Sequence, residues 1–143
     1  MAHETDALET ALGALRYRDL SADELKKRLA SRGFDEVERE AALSTLTRTG
    51  LLDESRFAEG RARSLAERGA GDALIREKLA RAGVASDLVS DVLAKVEPET
   101  ERARRIVEAR GLGPRTARYL AAKGFSAETV SAVVASGDDD ALG

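Results

Sequence analysis

The segment LKKRLASRGF, residues 25–34, recurs twice further along the chain and decides the fold. It aligns with IREKLARAGV at 75–84 and with TARYLAAKGF at 116–125, at spacings of 50 and 41 residues. Spacings of this size are typical of helical repeats. Each copy carries a leucine, then a glycine, then a large apolar residue at matching positions. These are Leu29, Leu79 and Leu120, then Gly33, Gly83 and Gly124, then Phe34, Val84 and Phe125.

A further helical pattern stands on each side of every copy. Apolar residues recur there at spacings of three and four, so each predicted helix buries one stripe. The first copy has the poorest following stripe, because Arg39 stands where the other copies have Val89 and Val130. No segment alternates apolar and polar residues for long enough to form a strand. The sequence therefore predicts an all-α protein of three tandem three-helix repeats that form an elongated, curved array.

Local signals set the predicted helix boundaries. Ser21 and Glu24 have the spacing of a capping box, and Leu20 and Leu25 that of a hydrophobic staple. The predicted helix starts also include the N-caps Asp53 and Asp72 and the first-turn residues Pro98 and Pro114. The nine predicted helices span 5–17, 21–32, 35–49, 53–68, 72–82, 86–96, 99–110, 114–123 and 126–136. The predicted repeats occupy 5–50, 51–97 and 98–136, and an acidic, flexible tail follows at 137–143.

Composition narrows the class of protein. The chain has no cysteine, which excludes disulfides and thiolate metal sites and favours an intracellular protein. It has no apolar run of about 18 residues and no signal-peptide pattern, so we expect a cytoplasmic protein without a membrane span. The one histidine, His3, falls in a start that we expect to be disordered.

Residues that could carry catalysis are missing from the pattern. The sequence shows no Ser/His/Asp arrangement, no phosphate-binding loop and no metal-spaced His or Cys, which favours a protein without enzymatic activity or cofactor. Asp138, Asp139 and Asp140 could hold a divalent cation, but a flexible acidic tail explains them more simply. Arg56 could bind a partner, with a salt bridge to a nearby acid as the simpler role.

Basic residues concentrate on the second helix of each repeat. The segments 21–33, 71–83 and 113–124 hold ten bases against four acids, a charge of +6, while the rest of the chain sums to −9 and the total is −3. If the repeats stack in register, these helices present one basic face, with a solvated surface as the alternative. The bases are Lys26, Lys27, Arg28, Arg32, Arg76, Lys78, Arg81, Arg115, Arg118 and Lys123.

The turn RGLG at 110–113 allows two interpretations. With the following residues to 117 it is similar to a helix-hairpin-helix, in which glycine-turn amides bind a DNA phosphate. Its twin RGAG at 68–71 is followed by Asp72, whose charge would repel a phosphate. A structural turn, in which glycine ends one helix and frees the chain to enter the next, explains both sites.

The combined motifs resemble the RecX family, the bacterial regulators of the RecA recombinase, over residues 5–136. The resemblance rests on LSADELKKRLASRGF at 20–34, LLDESRFAEG at 51–60, RGAGDALIREKLARAGV at 68–84 and LAAKGFSAETVSAVV at 120–134. Asp72 departs from a proline common in the family's Gly-x-Gly-Pro turn, Glu54 replaces the second acid of its Asp-Asp pair, and the N-terminal extension of many members is nearly absent.

The resemblance implies a monomeric regulator that lies along the groove of a RecA–DNA filament and inhibits ATP hydrolysis and strand exchange. The ten basic residues would then contact RecA or DNA, single- or double-stranded. The alternative is a stand-alone DNA-binding module that uses the hairpin at 110–117.

Overall fold

The structure, a computed structural model, describes the backbone of residues 3–142 and the side chains of residues 6–135. Within that part it contains nine α-helices and no strand, as predicted. They are α1 (His3–Leu15), α2 (Ala22–Ser31), α3 (Glu36–Arg48), α4 (Glu54–Glu67), α5 (Asp72–Arg81), α6 (Ser86–Lys95), α7 (Glu99–Arg110), α8 (Pro114–Ala122) and α9 (Ala127–Leu142).

The two ends of the chain depart most from the predicted boundaries. Helix α1 already includes His3, so the expectation of a disordered start is wrong for that residue. The acid Asp6 lies in its first turn, where negative charge suits the helix dipole. Helix α9 continues to Leu142, beyond the predicted end at 136. The side chains of 136–143, including the acids at 138–140, lie outside the described residues, so the flexible tail stays a prediction.

Each repeat builds its own hydrophobic core. Leu29, Leu79 and Leu120 are fully buried and belong to three separate clusters of apolar side chains. Ala7 and Ala11 of α1 are also fully buried in the first of these cores, where small side chains allow helices to pack closely. The first helix packs on the third within every repeat. The aligned leucine therefore marks the centre of each unit.

The N-terminal caps of two helices confirm the predictions made from local sequence spacing. Ser21 and Glu24 form the predicted capping box, and Asp53 accepts a hydrogen bond from the Arg56 amide at 3.0 Å. The predicted cap at Asp72 is wrong: Gly71 is the N-cap of α5 and Asp72 is its first helical residue. Because Asp72 lies one residue inside the helix, its carboxylate is not in the N-cap position and accepts instead from Arg102 of the next repeat.

The second helices of the three repeats meet end to end at two equivalent junctions. At the first, the Ser21 hydroxyl, at the N-cap of α2, donates to the carbonyl of Ala82, the C-cap of α5, at 2.6 Å. At the second, the amide of Gly71, the N-cap of α5, donates to the carbonyl of Lys123, the C-cap of α8, at 2.8 Å. The start of each second helix thus docks on the end of the following one.

A glutamate completes each junction from the first helix of the following repeat. Glu54 accepts from the Ala22 amide at 2.5 Å, and Glu99 accepts from the Asp72 amide at 3.0 Å. Both acceptors are the first residue of their helix, and both donors are the first helical residue of a second helix. Helix-start amides that would otherwise be unsatisfied therefore hold the repeats in register.

The repeats form an open array rather than a compact sphere. All helix pairs with extensive contact lie within a single repeat. The three units therefore contact each other mainly through the two junctions.

Gly33 and Gly83 have the same left-handed backbone conformation but different surroundings. Replacing each with alanine therefore distinguishes the cost of backbone strain from the cost of overpacking a junction. Gly33 has φ +89° and open space around it, whereas a Cβ on Gly83, at φ +87°, would lie 2.6 Å from Asp23 Cβ. We expect Gly33→Ala to lower the free energy of unfolding by about 1–2 kcal/mol through backbone strain. Gly83→Ala should lose about 1–3 kcal/mol more, because the added methyl group overpacks the first junction. Urea unfolding followed by circular dichroism measures both, and equal losses would show that the junction tolerates the methyl group.

Candidate functional site

The predicted basic residues lie on the end-to-end second helices or at their C-caps. Nine of the ten side chains are exposed and Lys123 is half-buried. Arg32 and Lys123 are the C-caps of α2 and α8, where a positive charge also suits the helix dipole. The ten residues thus lie along one chain of helices, and both the single basic face and its role in binding stay predictions.

Carboxylates neutralise three of the ten basic residues. Lys26 lies 3.4 Å from Glu40, Lys27 lies 3.2 Å from Asp23, and Arg81 lies 2.8 Å from Glu77. The other seven have no carboxylate within 4.0 Å among the described residues. These seven, the unpaired cations, are Arg28, Arg32, Arg76, Lys78, Arg115, Arg118 and Lys123. A cation without an internal partner is free to bind an external anion.

The structure brings Arg28 and Arg32 together in a groove between α1 and α2. This groove, with a volume of about 320 Å³, is also lined by Arg16, Tyr17 and Glu9. Sequence reasoning missed Arg16 and Tyr17 because they follow the first helix, outside the segments whose charge was counted. An isolated aromatic residue flanked by arginines, in a chain with only two tyrosines, was the available signal.

The third repeat places an aromatic ring beside its basic residues. The guanidinium carbon of Arg110 lies 3.7 Å from the centroid of the Tyr119 ring, within cation–π distance. Tyr119 is half-buried on α8, one residue from the exposed Arg118. Arg110 lies outside the three segments whose charges were summed. Its contact with Tyr119 nevertheless places it beside the basic residues of α8.

The two glycine turns differ in how their amides are used. In the turn 68–71 the Gly71 amide bonds to the third repeat, so this turn is structural. In the turn 110–113 the amides of Leu112 and Gly113 have no hydrogen-bond partner among the described residues. Gly111 and Gly113 have φ of +87° and +135°, which a residue with a side chain rarely adopts. The second turn thus keeps two amide donors that no described residue uses.

Arg56 has the structural role that was its simpler interpretation. Its Nε lies 3.2 Å from Asp19 Oδ1, and its guanidinium donates to the carbonyls of Gly50 and Leu51 at 3.2 and 2.9 Å. These contacts tie the connection between the first two repeats to the end of α1. The guanidinium group of Arg56 is therefore already engaged in contacts within the protein.

Asp72 and Arg102 form a partly buried ion pair between the second and third repeats. Arg102 Nη2 lies 2.8 Å from Asp72 Oδ1, and the arginine is only 6 % exposed. Burial raises the pKa of the Asp72 carboxyl, and the charge of Arg102 opposes that rise. The pair is a structural contact that joins the second and third repeats.

The described residues offer neither a metal site nor a membrane-spanning helix. Among the side chains that the structure describes, no group of three or more His, Cys, Asp or Glu could hold a metal ion. In the same part of the chain, no helix combines the length and the apolar character that crossing a bilayer requires.

Comparison with known proteins agrees with the fold. Residues 53–93 match the family model described as RecX, second three-helix domain. The regulatory protein RecX of Halorhodospira halophila is 36% identical, over 92% of this chain and 88% of its own length. That of Stenotrophomonas maltophilia R551-3 is 31% identical, over 96% of this chain and 90% of its own length.

Solved structures show the same arrangement of helices. The crystal structure of RecX from Lactobacillus salivarius superposes with a TM-score of 0.80 at 18% identity, covering 95% of this chain and 97% of that one. A second crystal structure of a regulatory protein RecX gives a TM-score of 0.76 at 22% identity, covering 92% and 71% of the two chains. At these identities the likeness concerns the fold.

Proposed function

This chain belongs to the RecX family, and from that premise we propose that it regulates homologous recombination by binding the RecA–DNA filament and inhibiting RecA ATP hydrolysis and strand exchange. Relatives that match nearly its whole length carry the name of a regulatory protein, not of an enzyme. We infer that this protein likewise acts without a cofactor or catalysis, as a cytoplasmic monomer. Its effect would come from occupying the filament.

The observation that carries the proposal is the set of seven unpaired cations on the end-to-end second helices. Cations that lack an internal carboxylate are attracted to a filament that displays phosphates and acidic side chains. Five of the seven are arginines, whose planar guanidinium suits bidentate contact with carboxylate or phosphate. An interface of this kind weakens as salt screens it.

The open array supports binding to several protomers at once. Three units joined by hydrogen-bonded junctions present their cations at successive positions along one chain of helices. Individually weak contacts that are linked in one molecule act at a high effective concentration, which raises the overall affinity. We therefore infer that a single copy spans neighbouring RecA subunits and hinders growth of the filament.

Reversing one cation in each repeat tests the proposed interface. We expect the variant with Arg28, Arg76 and Arg118 changed to glutamate, whose second-helix charge falls from +6 to about zero, to inhibit RecA much more weakly. Steady-state ATP hydrolysis by RecA on single-stranded DNA, titrated with each protein, measures the effect. Circular dichroism checks folding, which exposed positions should preserve.

A control variant carries the same change in net charge at positions outside the second helices. It separates the effect of the proposed interface from the effect of net charge alone. Arg48, Arg63 and Arg104 are exposed and lie on the first or third helices, so their reversal to glutamate should leave inhibition close to that of the parent. Equal inhibition by the parent and the interface variant would reject the basic surface. A parent that leaves RecA unaffected would reject the regulatory proposal itself.

The free amides of the 110–113 turn favour one second candidate, a stand-alone DNA-binding module. In that case the hairpin at 110–117 binds a phosphate through the Leu112 and Gly113 amides, with Arg115 beside them. Binding to duplex DNA without RecA, as tight as binding to the RecA filament, would favour this candidate. Strong dependence on the filament favours the regulator.

A further inference from the structure

Tyr17 is the most exposed large apolar side chain in the described part of the protein, with 91 % of its surface accessible. It lies in the turn that follows α1, where its amide donates to the Ala14 carbonyl. The other tyrosine, Tyr119, is half-buried under Arg110. A single exposed aromatic residue needs no explanation in general. The surroundings of Tyr17 are what distinguish it.

Three arginines share the groove between α1 and α2 with Tyr17. Arg16, Arg28 and Arg32 are all exposed, and none has a carboxylate within 4.0 Å among the described residues. Glu9 is the one acid that lines the groove, so the local formal charge is +2. On the neighbouring surface of α2, by contrast, Lys26 and Lys27 are paired with acids. The groove therefore collects arginines of the first repeat that have no carboxylate partner among the described residues.

We propose that this groove binds single-stranded nucleic acid, with an unpaired base stacked on the Tyr17 ring and neighbouring phosphates on Arg16, Arg28 and Arg32. Proteins that bind single strands combine a positive groove with an exposed aromatic platform, since every base has a π-face to stack. The inference deepens the proposed function, on which it rests: the first repeat would contact the DNA strand of the filament.

Two alternative partners fit the groove less well. A duplex keeps its bases inside the stack, so it offers phosphates to the arginines but no free base to Tyr17. An acidic protein surface satisfies the guanidinium groups and leaves the aromatic ring exposed to water. Only a single strand uses the ring and the charges together.

The experiment uses the absence of tryptophan from the chain. Tyr17→Trp introduces a single indole in the groove, and Val37→Trp places one on α3 between Glu36 and Glu38, at a position that is 69 % exposed. Oligo(dT) of about 16 nucleotides, long enough for such a site, is titrated into each full-length variant at low salt without RecA. We expect quenching of the Tyr17→Trp fluorescence and none for Val37→Trp.

An abasic strand of the same length and polyglutamate are the comparison ligands. Stacking requires that the abasic strand quench little and that polyglutamate compete weakly. We further expect Tyr17→Ala to weaken binding of labelled oligo(dT) by about 5- to 150-fold, the loss of one base–aromatic contact. Tyr17→Phe, which keeps the ring, should retain the affinity.

Three results would overturn the inference: absence of quenching by oligo(dT), equal quenching by the abasic strand, or competition by polyglutamate as effective as by oligo(dT). The last two would identify the groove as a general site for anions or acidic proteins. RecA ATP hydrolysis, measured separately with the parent, reports on the proposed function. Inhibition by a parent whose groove does not bind oligo(dT) would refute this inference and leave the regulatory proposal intact.

Discussion

Shortening Leu29, Leu79 or Leu120 to alanine is expected to lower the free energy of unfolding by about 2–5 kcal/mol in each case. All three side chains are fully buried, and each lies in the core of a different repeat. Removing the buried atoms forfeits their transfer free energy and leaves a cavity that the surrounding helices fill only in part. Urea unfolding followed by circular dichroism gives the three losses.

The location of the unfolding should differ between the three variants. The third repeat has the smallest described core, built on Ala103, Leu120, Phe125 and Val133. Because repeat proteins gain stability from each unit and its neighbour contacts, Leu120→Ala should open the third repeat before the others. Hydrogen exchange would then show lost protection in α7 and α8 while α2 and α5 stay protected.

Leu51, on the surface at 50 % exposure, supplies the matched control. Leu51→Ala removes the same atoms from a position that stays in contact with water, so its effect should stay within about 0.5 kcal/mol. If the three core variants unfold like the Leu51 variant, the aligned leucines do not mark the centres of the repeats.

Replacing Arg102 with methionine is expected to cost about 3 kcal/mol, the lower end of the range for breaking a buried ion pair, because Asp72 retains some contact with water. The substitution leaves the Asp72 carboxylate without its cation. It also removes the donors to the Ala70 and Glu97 carbonyls, at 3.1 and 2.9 Å, and the contact with the Phe125 ring. The second junction should therefore weaken.

Two further variants make this expectation specific. Arg104→Met alters an exposed arginine two positions along α7, whose ion pair with Glu101 lies on the surface, and should change stability by less than about 1 kcal/mol. Adding Asp72→Asn to Arg102→Met removes the unpaired charge and should recover part of the loss. A single Arg102→Met variant as stable as the Arg104 variant would show that the pair does not hold the repeats together.

Most of the secondary structure was predictable because its causes lie within a few residues. The capping box at Ser21 and the cap at Asp53 depend on a side chain and an amide three positions away. The positive φ of Gly33, Gly83 and Gly124 follows from where each helix ends. Burial of the aligned leucines follows from their recurrence at matching positions. Local spacing and repetition carry this information without knowledge of the partner helix.

Arg102 shows where such reasoning failed. Its helix and α4 begin with the equivalent residues Glu99 and Glu54, so Arg102 takes the place of the core residue Phe57. In the sequence alone, an arginine at this position interrupts the apolar stripe of the helix and gives no indication of being buried. It is buried because Asp72, 30 residues earlier, supplies the opposite charge, and nothing within α7 or α5 alone indicates that pairing.

The sequence by itself determined the all-helical fold, the three repeats and the concentration of basic residues on their second helices. The tertiary structure decided how the repeats join and which cations are free. The Ser21 hydroxyl and the Ala82 carbonyl are 61 residues apart, and the groove around Tyr17 combines side chains of two helices. Contacts over such separations depend on the relative placement of whole units, which periodicity within a helix does not encode.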